Sequence, residues 1–440
     1  MRITHFDLMP VNMAGEEASG WSPPASEPAK AHSKEHRGPL NNLLPIIGAL
    51  LAMVVSIFYR FHTDTTTSVP STLDKCRSTF NYGFPIDVAV HKVRTLQSHS
   101  WEYSTATQAL LELHSPELTP FTSNPFPADK IPHPGQLEVD ALTYIRPHIS
   151  TNDEHQLHPD NFSATDPASL GTLAILLGQS DPCYLRAASR QKDYLLQYAP
   201  RYSNRAISHR KTVAELWSDA VNMFPPFLAY YAVVSNDMNL IREAVAQCGL
   251  YRDVCRIREG PRRGLWRHIV GPSEFADAGI WSTGVAWAAY GILRVRATVV
   301  GWRPSKGVMG AEVGVLDRWV LEILDGVIRT DDLGEGLLRN YLGDEGWFGE
   351  TSGTALLAAV VYRMAVLGAL PERERYLFWA DAKRRAVMER VDEDGVAKPA
   401  VNPLKHGQRE PLMTGSPEGQ SFLVMMAAAW RDCVCSGTCT

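Results

Sequence analysis

Apolar residues in this chain come in runs rather than in strict alternation. Six Ala- and Leu-rich runs with few charges start at Ser104, Ala168, Trp217, Trp281, Ser352 and Ser416, spaced roughly 50 to 70 residues apart. Each follows a turn of small residues. Between them lie more charged, amphipathic stretches at residues 184–198, 238–252, 315–329 and 373–391. A run that is apolar all round predicts a helix buried on nearly every side; an amphipathic stretch predicts a helix with one wet face. The recurrence predicts stacked helical hairpins. Six of them closing into a ring make an all-α, (α/α)6 barrel of the six-hairpin kind. An open solenoid is the alternative, disfavoured by the uneven periods and by the lack of terminal caps.

The segments outside the runs predict the rest of the organisation. Residues 1–42 are polar and rich in Pro, Glu, Ser and Ala, which predicts a disordered tail. Residues 43–59 then carry no charge over 17 positions, the short end of a bilayer span. Some forty residues precede them, so a signal-anchor transmembrane helix over 43–61 is expected rather than a cleaved signal peptide. Lys30, Lys34 and Arg37 face Arg60 and Lys75 across it, a bias that puts the bulk of the chain in the secretory lumen or outside the cell. Residues 62–75 read as a Ser/Thr-rich stalk, 76–432 as the barrel and 433–440 as a Cys-containing tail. The sequon at Asn161 is compatible with that fate.

Composition narrows the chemistry. A net charge of −5 with interspersed signs lacks the clustered basic surface that nucleic acid requires, so no nucleic-acid partner is expected. Seven cysteines contain no C-x-x-C pair, and three of them (Cys433, Cys435, Cys439) stand at the C-terminus without a nearby histidine; no zinc site or other metal site is expected, and no cofactor motif is present. Cys248 and Cys255 could bridge in an oxidising compartment. The P-loop, H-E-x-x-H, G-x-S-x-G and D-x-D-D patterns are absent.

What remains is acids, histidines and tryptophans at loop–helix junctions. In a barrel these gather around one mouth: Asp166, His209, Trp217, Asp219, His268, Trp281, Trp287, Trp347 and Glu418. Eleven tryptophans, several beside Gly, Ser or Asp, suit stacking on sugar faces, although tryptophan is also a good core residue. Asp219 is the foremost acid. It is expected with Asn222 on a loop or short turn before the helix that Pro225 and Pro226 open. There it either caps backbone or faces a pocket. An ordinary glycosidase needs a second carboxyl, for which Asp166, Glu350 and Glu418 all qualify.

The blocks AISHRKTVAELWSDAVNMFPPFLAYYAV, GIWSTGVAWAAYGILRV, GWFGETSGTALLAAVVYR and SPEGQSFLVMMAAAW, in that order, resemble glycoside hydrolase families 88 and 105, the unsaturated uronyl hydrolases, in a fungal-type version. The likeness covers roughly residues 76–432. It implies the (α/α)6 barrel and an oligosaccharide substrate ending in a 4,5-unsaturated uronic acid, left by a polysaccharide lyase. It also implies hydration of that vinyl ether by one carboxyl, which protonates C4 while water adds at C5. By this resemblance the acid is Asp219, with a pKa raised by its apolar neighbours. His209 and His268 would bond the sugar, Arg210 would pair with the uronate, Trp217, Trp281, Trp287 and Trp347 would form stacking walls, and Asp166 would be a second acid. Many bacterial members read W-x-R-G-N-x-W where this chain has Thr283 and Val285, so its substrate choice is expected to differ. A conventional two-carboxylate glycosidase and a catalytically silent carbohydrate-binding barrel are the alternatives.

Overall fold

In a computed structural model of the protein, the described residues are 72–135, 139–334 and 336–439. The expected tail, anchor and most of the stalk fall outside them. No helix among the described residues is long and apolar enough to cross a membrane.

The helices follow the expected alternation. The outer layer is α2 (Ile86–Thr95), α4 (Asp140–Ile145), α6 (Pro182–Gln197), α9 (Met238–Cys255), α11 (Gly310–Arg329) and α13 (Arg373–Met388). The inner layer is α3 (Ser100–His114), α5 (Gly171–Leu177), the pair α7 (Ala220–Met223) and α8 (Pro225–Ser235), α10 (Ser282–Gly301), α12 (Thr351–Val366) and α14 (Pro417–Cys435). A short helix, α1 (Thr72–Ser78), precedes them. The inner helices pack in ring order, and α14 returns to α3 to close it. This is the (α/α)6 barrel. Inner helices such as α10 and α12 are buried along nearly their whole length, whereas α6 and α11 bury one face only. That difference is the run-versus-amphipathic contrast of the sequence, converted into layers.

Two helices need very close neighbours. A Cβ on Gly291 of α10 would stand 2.3 Å from the Val221 carbonyl of α7, and one on Gly171 would stand 2.1 Å from the Phe227 ring. Glycine therefore sets how near α10 comes to the turn that follows Asp219.

The loops before the inner helices are laced together at one end of the barrel. Strand β1 (Leu216–Trp217) pairs with β2 (Ile269–Val270), and β3 (Leu338–Arg339) with β4 (Gly349–Glu350). Single bridges join Ser163 to Arg210, Trp281 to Tyr341 and Ala400 to Leu412.

The cysteines behave differently from expectation. Cys248 and Cys255 are both free and buried, since both lie on the straight helix α9, about two turns apart, too far to bond. Instead Cys76 of α1 bonds Cys435 at the end of α14, and Cys433 bonds Cys439. The last helix thus runs through Cys435, past the expected boundary at 432, and is stapled to the first across 359 residues of sequence.

Two outcomes follow. Gly291→Ala should lower unfolding stability by about 1–3 kcal/mol through overpacking, measured by chemical denaturation. Cys76→Ser should lower it by about 2–4 kcal/mol, and reducing agent, which also opens Cys433–Cys439, should give wild type at least that loss.

Candidate active site

The mouth of the barrel holds a cavity of ≈ 500 Å³. Asp166, His209, Trp217, Asp219, His268, Trp281 and Glu418 line it, all of them legible as candidates in the sequence. Trp101, Phe162, Phe275, His99 and His406 also line it, and sequence reasoning missed them. Trp101 had a signal: it stands just before an inner run, as Trp217 and Trp281 do. His406 had a weaker one: it lies on the loop that feeds the last inner run, but ten residues before that run begins at Ser416. No Lys or Arg lines the cavity among the described residues.

Asp219 is held by the β1–β2 pair, which brings its loop beside His268; Ser218 N–H donates to the His268 carbonyl at 2.8 Å. Asp219 occupies the N-cap position of α7, yet its carboxyl makes no capping bond. Its Oδ1 is buried without a hydrogen-bond partner. The carboxyl lines the cavity while staying near the N–H groups of Asp219 and Ala220, so a local backbone contact and a place in the pocket wall are both present. The expected loop or turn is the single-turn helix α7, which carries Asn222. Burial raises the Asp219 pKa, while His268 and the N–H groups of Asp219 and Ala220 pull the other way.

Three further carboxyls line the cavity: the half-buried Asp160 at its edge, and the buried Asp166 and Glu418. Burial, followed by the charge of Asp219, pushes Asp166 well above its ordinary range. Its Oδ1 lies 3.9 Å from His209 Nδ1. That contact is not an ion pair: burial lowers the His209 pKa to about 3, so the ring is neutral. Thr165 Oγ1 instead shares a 2.8 Å bond with the ring, which stacks on Trp217 at 4.5 Å. Glu418 sits in the first turn of α14. Its Oε1 accepts from Trp101 Nε1 at 2.8 Å and its Oε2 has no partner. Burial, then the neighbouring Glu102, raises it to about 8.

The aromatic wall is fixed from behind. Trp217 Nε1 donates to the buried Glu215 at 2.7 Å, and Trp281 Nε1 to Asn340 at 2.9 Å. His268 Nδ1 bonds Asp277 at 3.0 Å. A carboxylate only accepts, so Nδ1 carries the proton and Nε2, buried and unpartnered, is left for the cavity side. Asp277 is held well below the carboxylate range: burial pushes it upward, but bonds from His268 and Tyr341 prevail. With His406, these two residues bring three ligand atoms within 4.8 Å of one another. They are the residues that could hold a metal, assembled from loops that the sequence spacing does not connect. Their mutual bonds through Asp277 and Tyr341 already satisfy most of those atoms.

Four expected site residues are elsewhere. Trp287 lies in the second turn of α10, fully buried, with its ring edge-on to Phe422 at 4.6 Å. Trp347 stacks on Tyr341 at 4.6 Å beneath Arg409, and so backs the wall without lining the cavity. Arg210 lies 3.6 Å over the Phe162 ring and 3.7 Å from Glu215, held behind the wall by both. Glu350 caps α12, accepting from Ser352 and Gly353 N–H and the Ser282 hydroxyl. Thr283 and Val285 are both fully buried in α10.

Residues 139–427 match the family model described as Glycosyl Hydrolase Family 88. Among solved structures, a possible member of the GH105 family from Salmonella enterica shares 15% identity at a TM-score of 0.61, covering 79% of this chain and 92% of that one. A glycosyl hydrolase family 88 protein from Bacteroides vulgatus shares 14% at 0.55, covering 79% and 97%. An unsaturated glucuronyl hydrolase specific for heparin shares 9% at 0.54, covering 84% and 99%. At these identities the likeness is one of fold. No curated protein sequence matches the chain.

The Glu418 shift has a consequence for stability. Between its ordinary value of 4.5 and about 8 the folded state binds a proton that the unfolded state has lost. Stability should therefore fall as pH rises through that window. Glu418→Gln should flatten the fall, measured as the midpoint of urea unfolding at pH 5 and pH 8. An unchanged pH slope would show that Glu418 is not held neutral.

Proposed function

The chain belongs to glycosyl hydrolase family 88, and on that premise we propose that it removes 4,5-unsaturated uronic acid residues from the ends of lyase-generated oligosaccharides. Asp219 gives its proton to C4 of the vinyl ether and then takes one from the water that adds at C5. The hemiketal so formed opens and releases the neighbouring sugar. One carboxyl serves both transfers because the proton it gives is replaced by the one it takes. The observation that carries this reading is the Asp219 carboxyl: raised by burial, without a side-chain cap bond, and lining a tryptophan-walled cavity. A volume of ≈ 500 Å³ suits a small oligosaccharide end.

The other roles follow from chemistry. Trp217 and Trp281 offer flat faces to the sugar. His268, protonated at Nδ1, and His406, which donates from Nδ1 to the Tyr341 oxygen, offer their Nε2 lone pairs to sugar hydroxyl groups. The uronate carboxylate is left to the helix N-termini, since no lysine or arginine lines the cavity among the described residues. Asp166 and His209 fix hydroxyl groups beside the reacting ring. The two disulfides support an oxidising compartment. The protein accordingly works in the secretory lumen or outside the cell, either secreted or held by an N-terminal anchor at 43–61.

A two-carboxylate glycosidase is the second reading, favoured by the presence of Asp166 and Glu418 in the same cavity. One assay separates the two. Unsaturated disaccharides should lose the absorbance of their C4=C5 bond on incubation with the protein, and saturated counterparts should not be cleaved. Asp219→Asn should reduce the rate by at least about 10³-fold, since both proton transfers pass through it. Cleavage of the saturated sugar, or an Asn variant as fast as wild type, would remove this mechanism.

A further inference from the structure

Beneath the active-site end, between inner helices α3, α5, α8 and α10, lies a second, much smaller cavity of ≈ 30 Å³. Loop residues 118–120 cover its far side. Its lining is mostly apolar, as an inner-helix core should be, yet Gln108, Glu112, Thr172, Tyr230 and Arg294 all reach it.

Arg294 is the anomaly. It is 7% exposed, and no carboxylate among the described residues lies within 4.0 Å of it. Its Nη1 donates to Asn222 at 3.2 Å and its Nη2 to Thr172 Oγ1 at a long 3.4 Å, while Nε has no partner. The Tyr230 hydroxyl is also buried and unpartnered. The one carboxylate in the cavity whose charge reaches Arg294 is Glu112, and it is shared with other donors. Glu112 already accepts from Tyr290, Gln108 and Arg363, and Asp432 accepts from Arg363 and Arg431. Three buried guanidiniums, Arg294, Arg363 and Arg431, thus face two buried carboxylates. Burial lowers the Arg294 pKa only to about 10, so the group does not shed its charge near neutral pH. An unpaired buried cation is expensive.

We infer that this cavity is a halide site, holding one chloride ion against the Arg294 guanidinium and the Tyr230 hydroxyl. The size decides the class of anion. A water needs about 10–15 Å³ of such space, so ≈ 30 Å³ admits a monatomic ion but not a sulfate or phosphate. The site is independent of the hydrolytic reaction. It braces the fold through Asn222, whose carbonyl Arg294 holds and which lies in α7, directly after Asp219.

Two measurements test it. Crystals of the full chain soaked in sodium bromide should show an anomalous bromine peak beside Arg294 and Tyr230. In solution, Tm should rise by about 1–3 °C per tenfold increase in sodium chloride, and not in sodium gluconate of equal ionic strength. Tyr230→Phe, which keeps the ring, should reduce the chloride-specific rise, and Arg294→Gln should abolish it. The inference is overturned if bromide binds only elsewhere, if the cavity holds water alone, or if chloride and gluconate shift Tm equally.

Discussion

The closeness of neighbouring inner helices is the constraint from which the rest of the molecule follows. Six helices can close into a ring only if their crossing points carry little bulk, and Gly291 against the Val221 carbonyl is the clearest such point. Closure also forces direction. Each inner helix begins at the same end, so each preceding loop delivers its side chains to one mouth, and the short strand pairs lock those loops side by side. The N-termini that converge there carry the positive ends of the helix dipoles. They make the cavity hospitable to anions although no lysine or arginine lines it.

Burying carboxyls in such a place has two outcomes, and the molecule displays both. Glu350 and Asp219 stand at equivalent positions, each an acid at the start of an inner helix. Glu350 spends its oxygens on two backbone N–H groups and a serine hydroxyl, and is structural. Asp219 leaves Oδ1 without a partner. An unsatisfied acid in a low-dielectric cavity keeps its proton more readily, a property of use to chemistry and of none to stability. Stability is supplied elsewhere in the ring.

The ring is fastened at its seam. Glu112 on α3, Arg363 on α12 and Asp432 on α14 form a buried chain of ion pairs that ties the first inner helix to the last two. Arg77 of α1 joins the same carboxylate, Asp432, and the Cys76–Cys435 bond covers the junction covalently. The barrel is thus fastened where its chain ends meet. Arg294, on α10, lies outside this chain and is the charge left over.

The layer structure was readable along the chain, because burial on all sides demands an apolar run and burial on one side demands an amphipathic one. That periodicity is local, so residues 282–301 and 310–329 declared themselves inner and outer without any partner in view. Asp219, Asp166, His209, His268, Trp217 and Trp281 could be named for the same reason: closure sends whatever precedes an inner run to the mouth. Direction around a helix and contact across loops are not local. Six residues past Trp281, Trp287 has rotated into the core against Phe422, and Arg210 has folded behind Phe162. His406, Asp277 and Tyr341 meet only because three distant loops are laced together. The cysteine pairing followed the same logic, since Cys76 found Cys435 through ring closure while Cys248 and Cys255 were kept apart by the rigid helix they share. The chain's own pattern determined which segments are buried; the three-dimensional closure decided which side chains meet there.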